Sequence, residues 1–250
     1  GFLAKSGFKD IRTYSLDFKA EEENNFNELP LARKVAEKWG TIHTEVTIDA
    51  ERVLKDLEKM VWHLDEPYAG GLPSWYIYEL VAKDVKVCLT GSGGDELFGN
   101  YGKYFLFEEG KLKNYLRLIK RAGKAVQPEE IYSGLLDYHG YFYPKYMTDA
   151  EKKNFLKKEV FSDCKSTENF LEKIMRSSGS DNIRDIIAFT DFKMQLPEEF
   201  LQMTDKFSMA HSVEARVPFL DHLLIEKVFS MPPELRTGGK DPKSFLKEII

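Results

Sequence analysis

The sequence predicts an α/β fold: an open, mostly parallel sheet with helices on both faces, followed by a mainly helical region. Three observations support it. Apolar and polar residues alternate over 11–18, as in a half-buried strand. Segments whose apolar residues have helical spacing then lie between this run and the β-rich runs at 42–48 and 85–90, as in parallel βαβ units. Beyond residue 101 helical patterns dominate. We therefore predict an α/β part over 1–100 and a mainly helical part over 101–250 that completes a substrate cleft.

Stop signals and apolar spacing define the helices in order. In the α/β part, one helix ends at Gly40, a second covers 53–64, and a third runs from Pro73 to about 83. The helices predicted after residue 101 are 104–121, 151–157, 168–175, 183–196 and 245–250. Pro197 should break or restart the helix before it, because proline has no N–H to donate.

The ends of the sequence predict incomplete elements. Residues 1–10 are typical of the last turns of a helix with a glycine stop, and no methionine precedes them. We therefore expect the chain to be a piece of a longer protein.

Composition restricts the class of protein. The 250 residues suffice for one large domain or two small ones, and the net charge of −5 argues against nucleic acid as the main partner. Two cysteines exclude a disulfide framework and favour a reducing cytoplasm. No apolar stretch is long enough to span a membrane. The sequence leaves open whether the protein forms a homodimer.

The most informative segment is the glycine-rich turn after the third predicted strand, within 85–101. Glycines at Gly91, Gly93 and Gly94 would let backbone N–H groups approach an anion. A carboxylate such as Asp95 can hold Mg²⁺ against phosphate oxygens. The segment predicts a nucleotide-phosphate site, although glycine-rich turns without a ligand are common. No Gly-Lys-Ser/Thr follows, so the turn is not a P-loop.

A second informative segment covers 204–222. It combines Asp205, Lys206, Glu214 and Arg216 with apolar residues and Pro218. Extended backbone would place the side chains of Glu214 and Arg216 on one face. The alternative interpretation is a structural ion-pair network between helices.

Together these two segments resemble the synthetase domain of the glutamine-hydrolysing asparagine synthetases. The resemblance extends through 13–16, 36–43 and 65–67 and covers nearly the whole chain. It implies an adenine-nucleotide hydrolase-like fold and ATP-dependent amide formation. In that family the side-chain carboxylate of aspartate attacks the α-phosphate of ATP, giving β-aspartyl-AMP and pyrophosphate. Ammonia from a glutaminase domain then displaces AMP.

The resemblance also implies the nucleotide-binding residues. By motif position, Leu16, Thr90 and Gly91 would contact adenosine, and Glu28 falls where a family carboxylate lies near the nucleotide. Asp95 would be a ligand of the Mg²⁺ that accompanies the pyrophosphate.

Three further residues are candidates for catalysis. Arg216 suits a carboxylate or phosphate, because its planar fork donates paired hydrogen bonds. Lys243 occupies the position of the lysine that stabilises the adenylation transition state; without the resemblance, a solvated lysine is the simpler interpretation. Glu214 is a candidate carboxylate. With the Thr90 turn, Arg216 should border one cleft that accepts a triphosphate.

The sequence departs from the family in two ways. The Ser-Gly-Gly-x-Asp-Ser pyrophosphate loop and the strand before it are missing from this sequence, and we expect them to precede Gly1. The glutaminase domain is missing as well. Activity is therefore expected of a full-length parent, not of this piece alone. Ser92 stands where the family has a glutamate suited to act as a base, so either the acceptor differs or Glu214 or Glu96 supplies the carboxylate.

These departures leave two alternatives. One is a related amide or lactam synthetase with another substrate. The other is a catalytically inactive nucleotide-binding or regulatory module.

Overall fold

The computed structural model describes residues 1–19, 28–66, 70–99, 147–237 and 243–249. Helices and strands alternate before residue 100, which confirms the α/β class. The elements of this part are α1 (Phe2–Lys5), β1 (Arg12–Phe18), α2 (Leu29–Trp39), β2 (Ile42–Ile48), α3 (Ala50–Leu64), α4 (Pro73–Val81), β3 (Val87–Leu89) and α5 (Gly94–Phe98).

From residue 147 the described chain is mainly helical. Its elements are α6 (Asp149–Phe155), α7 (Lys158–Asp163), α8 (Thr167–Arg176), α9 (Ile183–Lys193), a π-helix (Leu196–Leu201), α10 (Gln202–Ala210), β4 (Glu214–Arg216), a 3₁₀ turn (Pro218–Leu220), α11 (His222–Phe229), α12 (Pro233–Thr237) and α13 (Ser244–Ile249). In the part of the chain that the structure describes, no helix combines the length and apolar character that a membrane crossing requires.

The chain forms two compact units. Unit 1 comprises Gly1–Ser92 and Pro197–Pro218, and the described residues of unit 2 lie between Gly93 and Leu196 and between Phe219 and Ile249. The predicted boundary at residue 100 and the predicted helix 104–121 fall outside the described residues and remain predictions.

The strands of unit 1 pair in parallel. β1 and β2 run in register from Arg12 opposite Ile42 to Phe18 opposite Ile48. β3 pairs with β4 over only three residues, so the described strands form two small sheets rather than one continuous sheet. β3 is shorter than the predicted 85–90, because the Val85 N–H still donates to the Val81 carbonyl at the end of α4.

The core of unit 1 lies among α3, α4 and α10. Trp75 of α4 is at its centre, with its ring centroid 5.4 Å from that of Phe207 and 4.3 Å from that of His211. Buried aromatic and aliphatic side chains of this kind supply most of the stabilisation of a small core. α10 therefore fixes the start of β4, since Val213, between the two elements, is also buried in this core.

Unit 2 is built around α9. Ile186, Ile187 and Ala188 of this helix are buried against Leu171 and Met175 of α8. α9 ends at Lys193, before the predicted residue 196, and the π-helix that follows contains Pro197. The predicted interruption at Pro197 is confirmed, because a residue without an N–H cannot continue the α-helical ladder.

Candidate functional site

The β3–β4 pair brings the two informative segments of the sequence to one edge of unit 1. Leu89 lies opposite Arg216, and the Thr90 N–H donates to the Arg216 carbonyl at 2.9 Å. At the other end, the Glu214 N–H donates to the Lys86 carbonyl at 2.8 Å. Because the strands are parallel, the glycine-rich turn and Arg216 both lie at the carboxyl end of the pair, where ligands bind in open α/β sheets.

The side chains of Glu214 and Arg216 lie on one exposed face of β4, as predicted. Arg216 Nε donates to Glu214 Oε1 at 2.8 Å, and the Arg216 side chain is 61% exposed. The hydrogen bond from Arg216 holds the pKa of Glu214 below its ordinary value, and Glu214 raises the pKa of Arg216. The pair lies within one strand, so it is not part of a network between helices. Among the described residues, the two terminal guanidinium nitrogens have no protein partner.

The turn after β3 is ordered by its own hydroxyls and has open space. Thr90 Oγ1 lies 3.2 Å from Ser92 Oγ. A methyl group on Gly91 would meet no described atom within 4 Å. The turn thus leaves room for a ligand beside the Thr90–Gly91 backbone.

Leu16 and Glu28 lie elsewhere in unit 1. Leu16 is not at the end of β1 but two residues before it, because the pairing continues to Phe18, and its side chain packs against the core. The Leu16 side chain is partly buried there. Glu28 is exposed immediately before α2. No hydrogen bond or ion pair in the described ranges joins either residue to the β3–β4 edge.

Asp95 and Lys243 meet in unit 2. Asp95 lies in the first turn of α5, and its carboxylate forms an ion pair with the Lys243 ammonium; each side chain is 30% exposed. Lys243 has a φ of +59°, a left-handed conformation that costs a non-glycine residue free energy and is often found at functional sites. Lys243 therefore has a carboxylate partner, and its catalytic role stays a prediction.

The donor set at Asp95 suits Mg²⁺ bound mainly through a nucleotide. The carboxylate is a hard oxygen ligand and already faces a cation. The described residues contain no group of three or more histidine, cysteine or carboxylate side chains placed to hold a metal. Mg²⁺ commonly uses one or two carboxylates together with substrate phosphates and water. Asp95 fits that arrangement.

Three other polar residues of the two informative segments lie in environments that differ from those of the candidate residues. The Lys206 ammonium donates to the Leu64 carbonyl at the end of α3, so Lys206 has a structural role in joining two helices. Glu96 is 1% exposed, whereas Ser92 is partly buried in the turn. The structure therefore places Glu96 in the interior of unit 2.

Sequence reasoning missed Arg236. It is fully buried in unit 2, and its guanidinium donates to the Leu97 carbonyl of α5 and to Asp185. No local pattern could have revealed it, because a single arginine after Pro-Pro-Glu-Leu is typical of a solvated helix.

Comparison with known proteins identifies the family. The asparagine synthase family matches the sequence over residues 1–250. The chain belongs to the asparagine synthase family.

Several curated proteins are similar to it. Asparagine synthetase [glutamine-hydrolyzing] 1 of Bacillus subtilis is 29% identical over 98% of this chain and 40% of its own length. Asparagine synthetase [glutamine-hydrolyzing] 3 of the same organism is 26% identical, over 100% of the chain and 39% of its length. Amidase chry2 of Gibberella zeae is 26% identical, over 96% and 40%. The chain thus spans about 40% of the length of these relatives.

Proposed function

We propose that this chain is the synthetase part of an enzyme that adenylates a carboxylate with Mg-ATP and transfers the acyl group to nitrogen. The proposed acid is aspartate, and the products are asparagine, AMP and pyrophosphate. Ammonia would come from glutamine through a glutaminase domain. The observation that carries the proposal is the bond from the Thr90 N–H to the Arg216 carbonyl, which joins both family segments at one strand edge.

Unit 1 would bind the nucleotide and the acid at this edge. The open space beside Gly91 allows the Thr90–Gly91 backbone to approach adenosine or phosphate. The terminal nitrogens of Arg216, which have no partner in the described part of the chain, can donate a bidentate pair to a carboxylate or phosphate, while Nε remains on Glu214. The parallel pairing of β1 with β2 and of β3 with β4 supports the proposed adenine-nucleotide hydrolase-like architecture. Leu16 and Glu28 remain proposed nucleotide contacts.

Asp95 and Lys243, which pair with each other, are the residues proposed for the phosphates on their family positions. A bound Mg²⁺ would neutralise the negative charge of the pyrophosphate. Asp95 would be the protein ligand of this ion, and phosphate and water would provide the other ligands. Lys243, paired with Asp95, is the ammonium of unit 2 that we assign to the negative charge developing during adenylation.

A second function is favoured by Ser92: the same adenylation with another acid or acceptor. A serine hydroxyl is not a base at neutral pH without help, and here it lies against the hydroxyl of Thr90. Glu214 is a weak substitute, because Arg216 lowers its pKa. Two relatives are named amidases, which is compatible with a changed substrate.

The test uses the full-length protein and measures release of AMP and pyrophosphate from ATP with ammonia and a panel of carboxylic acids. Aspartate-dependent release supports the proposal, and release with only another acid supports the second function. ATP binding without turnover would contradict both and indicate an inactive nucleotide-binding module.

Asp95→Asn should lower turnover at least 100-fold, whereas the matched control Asp163→Asn, on exposed α7, should leave it unchanged. The cytoplasmic location and the homodimer stay proposals as well.

A further inference from the structure

We propose that Arg236 is a positioning residue of this reaction: it fixes helix α5 and thereby sets the place of Asp95. The inference rests on the proposed function for the role of Asp95. The contacts of Arg236 themselves lie within unit 2 and are independent of it.

α5 cannot determine its own position. It has five residues, Gly94–Phe98, and a helix this short is not stable in isolation. Its place is therefore set by the side chains around it. Leu97 and Phe98, on its last turn, are buried together with Val228 of α11.

Arg236 ties this turn to two other helices. It is 0% exposed. Nη1 donates to the Leu97 carbonyl at 3.3 Å, and Nη2 donates to Asp185 Oδ1 of α9 at 2.5 Å. The guanidinium carbon lies 4.8 Å from the centroid of the Phe229 ring of α11. One side chain thus links α5, α9 and α11.

The next residue holds the end of α5 from the same side. Gly99, which ends the helix, has a φ of +71°, and a Cβ there would lie 2.9 Å from Thr237 Cβ and 3.1 Å from Thr237 Cα. The backbones of residues 99 and 237 are therefore in close contact. Arg236 and Thr237 together fix the carboxyl end of α5, one helical turn from Asp95.

The chemistry of Arg236 favours positioning over stability. Its Nε has no hydrogen-bond partner among the described residues, so the buried cation is incompletely satisfied. A buried ion pair often contributes no more stability than apolar side chains of the same volume. Two directional donors do, however, define where a backbone carbonyl lies. Mutation of a group that orients a metal ligand typically lowers metal affinity by about 10- to 100-fold.

The experiment compares Arg236→Lys with wild type in the full-length protein. Lysine keeps the charge but cannot donate to Leu97 and Asp185 in a fixed fork. We expect the Mg²⁺ concentration for half-maximal pyrophosphate release to rise at least 10-fold, while kcat at saturating Mg²⁺ falls by less than 3-fold. The control is Arg176→Lys, an exposed arginine of α8 paired with Glu172, which should leave both values unchanged.

The result that overturns the proposal is a lower unfolding temperature with an unchanged Mg²⁺ requirement, since a merely structural role predicts that outcome. If Arg236→Lys does not fold, the neutral Arg236→Gln, which keeps an amide donor for Leu97, is judged by the same criterion.

Hydrogen exchange separates this inference from the proposed function. If wild type shows no Mg-ATP turnover, the proposed function fails. The inference then requires faster amide exchange over 94–99 in Arg236→Lys than in wild type, with α8 unaffected. Equal acceleration in both helices would overturn it.

Discussion

The two regions that carry the candidate residues are held in different ways. At the β3–β4 edge of unit 1, backbone hydrogen bonds set the geometry, and the side chain of Arg216 is exposed. Around α5 of unit 2, buried side chains set the geometry, above all Arg236. At the strand edge the side chain of Arg216 can be removed while the backbone stays in place, so its proposed role can be tested apart from folding. Around α5 the place of the backbone itself depends on buried side chains.

The largest expected effect tests the packing around α5. Gly99→Ala should destabilise unit 2 by about 3 kcal/mol, because a left-handed alanine is strained and its methyl would press on the Thr237 backbone. The matched control is Gly40→Ala in unit 1. Gly40 is also left-handed, with φ +61°, but no described atom lies within 4 Å of its added methyl, so we expect a cost of about 1 kcal/mol.

Denaturant-dependent hydrogen exchange, followed separately in each unit, measures both costs. Equal losses for the two glycine variants would show that the α5 region is not held by close packing.

The second prediction concerns Arg216. Arg216→Ala should lower kcat/KM for AMP release by about 100-fold, since a charge-assisted bidentate contact is lost. The midpoint of thermal unfolding should stay nearly unchanged, because the side chain is exposed and the β3–β4 bonds come from the backbone. A marked fall in the unfolding midpoint would contradict the separation of function from folding at this edge.

The smallest expected effect is a shift in titration. Arg216 holds the pKa of Glu214 below its ordinary value, so the charged pair persists as the pH falls through that ordinary value and is lost only at lower pH. Arg216→Gln should move the titration midpoint of Glu214 up towards that of an unpaired glutamate, as followed by carboxyl NMR.

Arg33→Gln is the control for this titration. Arg33 holds down the pKa of Glu45 in the same way, so its removal should move the midpoint of Glu45 and not that of Glu214. An unmoved Glu214 in Arg216→Gln would show that the pair does not form in solution.

Local signals explain most of what the sequence could predict. β2 runs over Ile42–Ile48 as predicted, because its β-rich run is bounded by turn residues. α3 begins at Ala50, three residues before the predicted start, because Asp49 caps it by accepting the Arg52 N–H. The shared face of Glu214 and Arg216 followed from the two-residue period of a strand.

Tertiary contacts explain what it could not predict. The place of Leu16 within β1 depends on how far the pairing with β2 continues. The ion pair of Asp95 and Lys243 joins residues far apart in the chain, and the family resemblance gave each a role without indicating the contact. The position of Arg236 beneath α5 depends on three helices at once.

The core around Trp75 has a practical consequence for spectroscopy. All three tryptophans of the sequence, Trp39, Trp62 and Trp75, belong to unit 1. Trp75 is 7% exposed, whereas Trp62 is 80% exposed. Intrinsic fluorescence therefore monitors the unit that carries Thr90 and Arg216, with a blue-shifted emitter and a water-exposed one in the same spectrum. Because the residues of unit 2 include no tryptophan, a melting curve followed by the tryptophan fluorescence of this chain reports on unit 1 and carries no indole signal from α5.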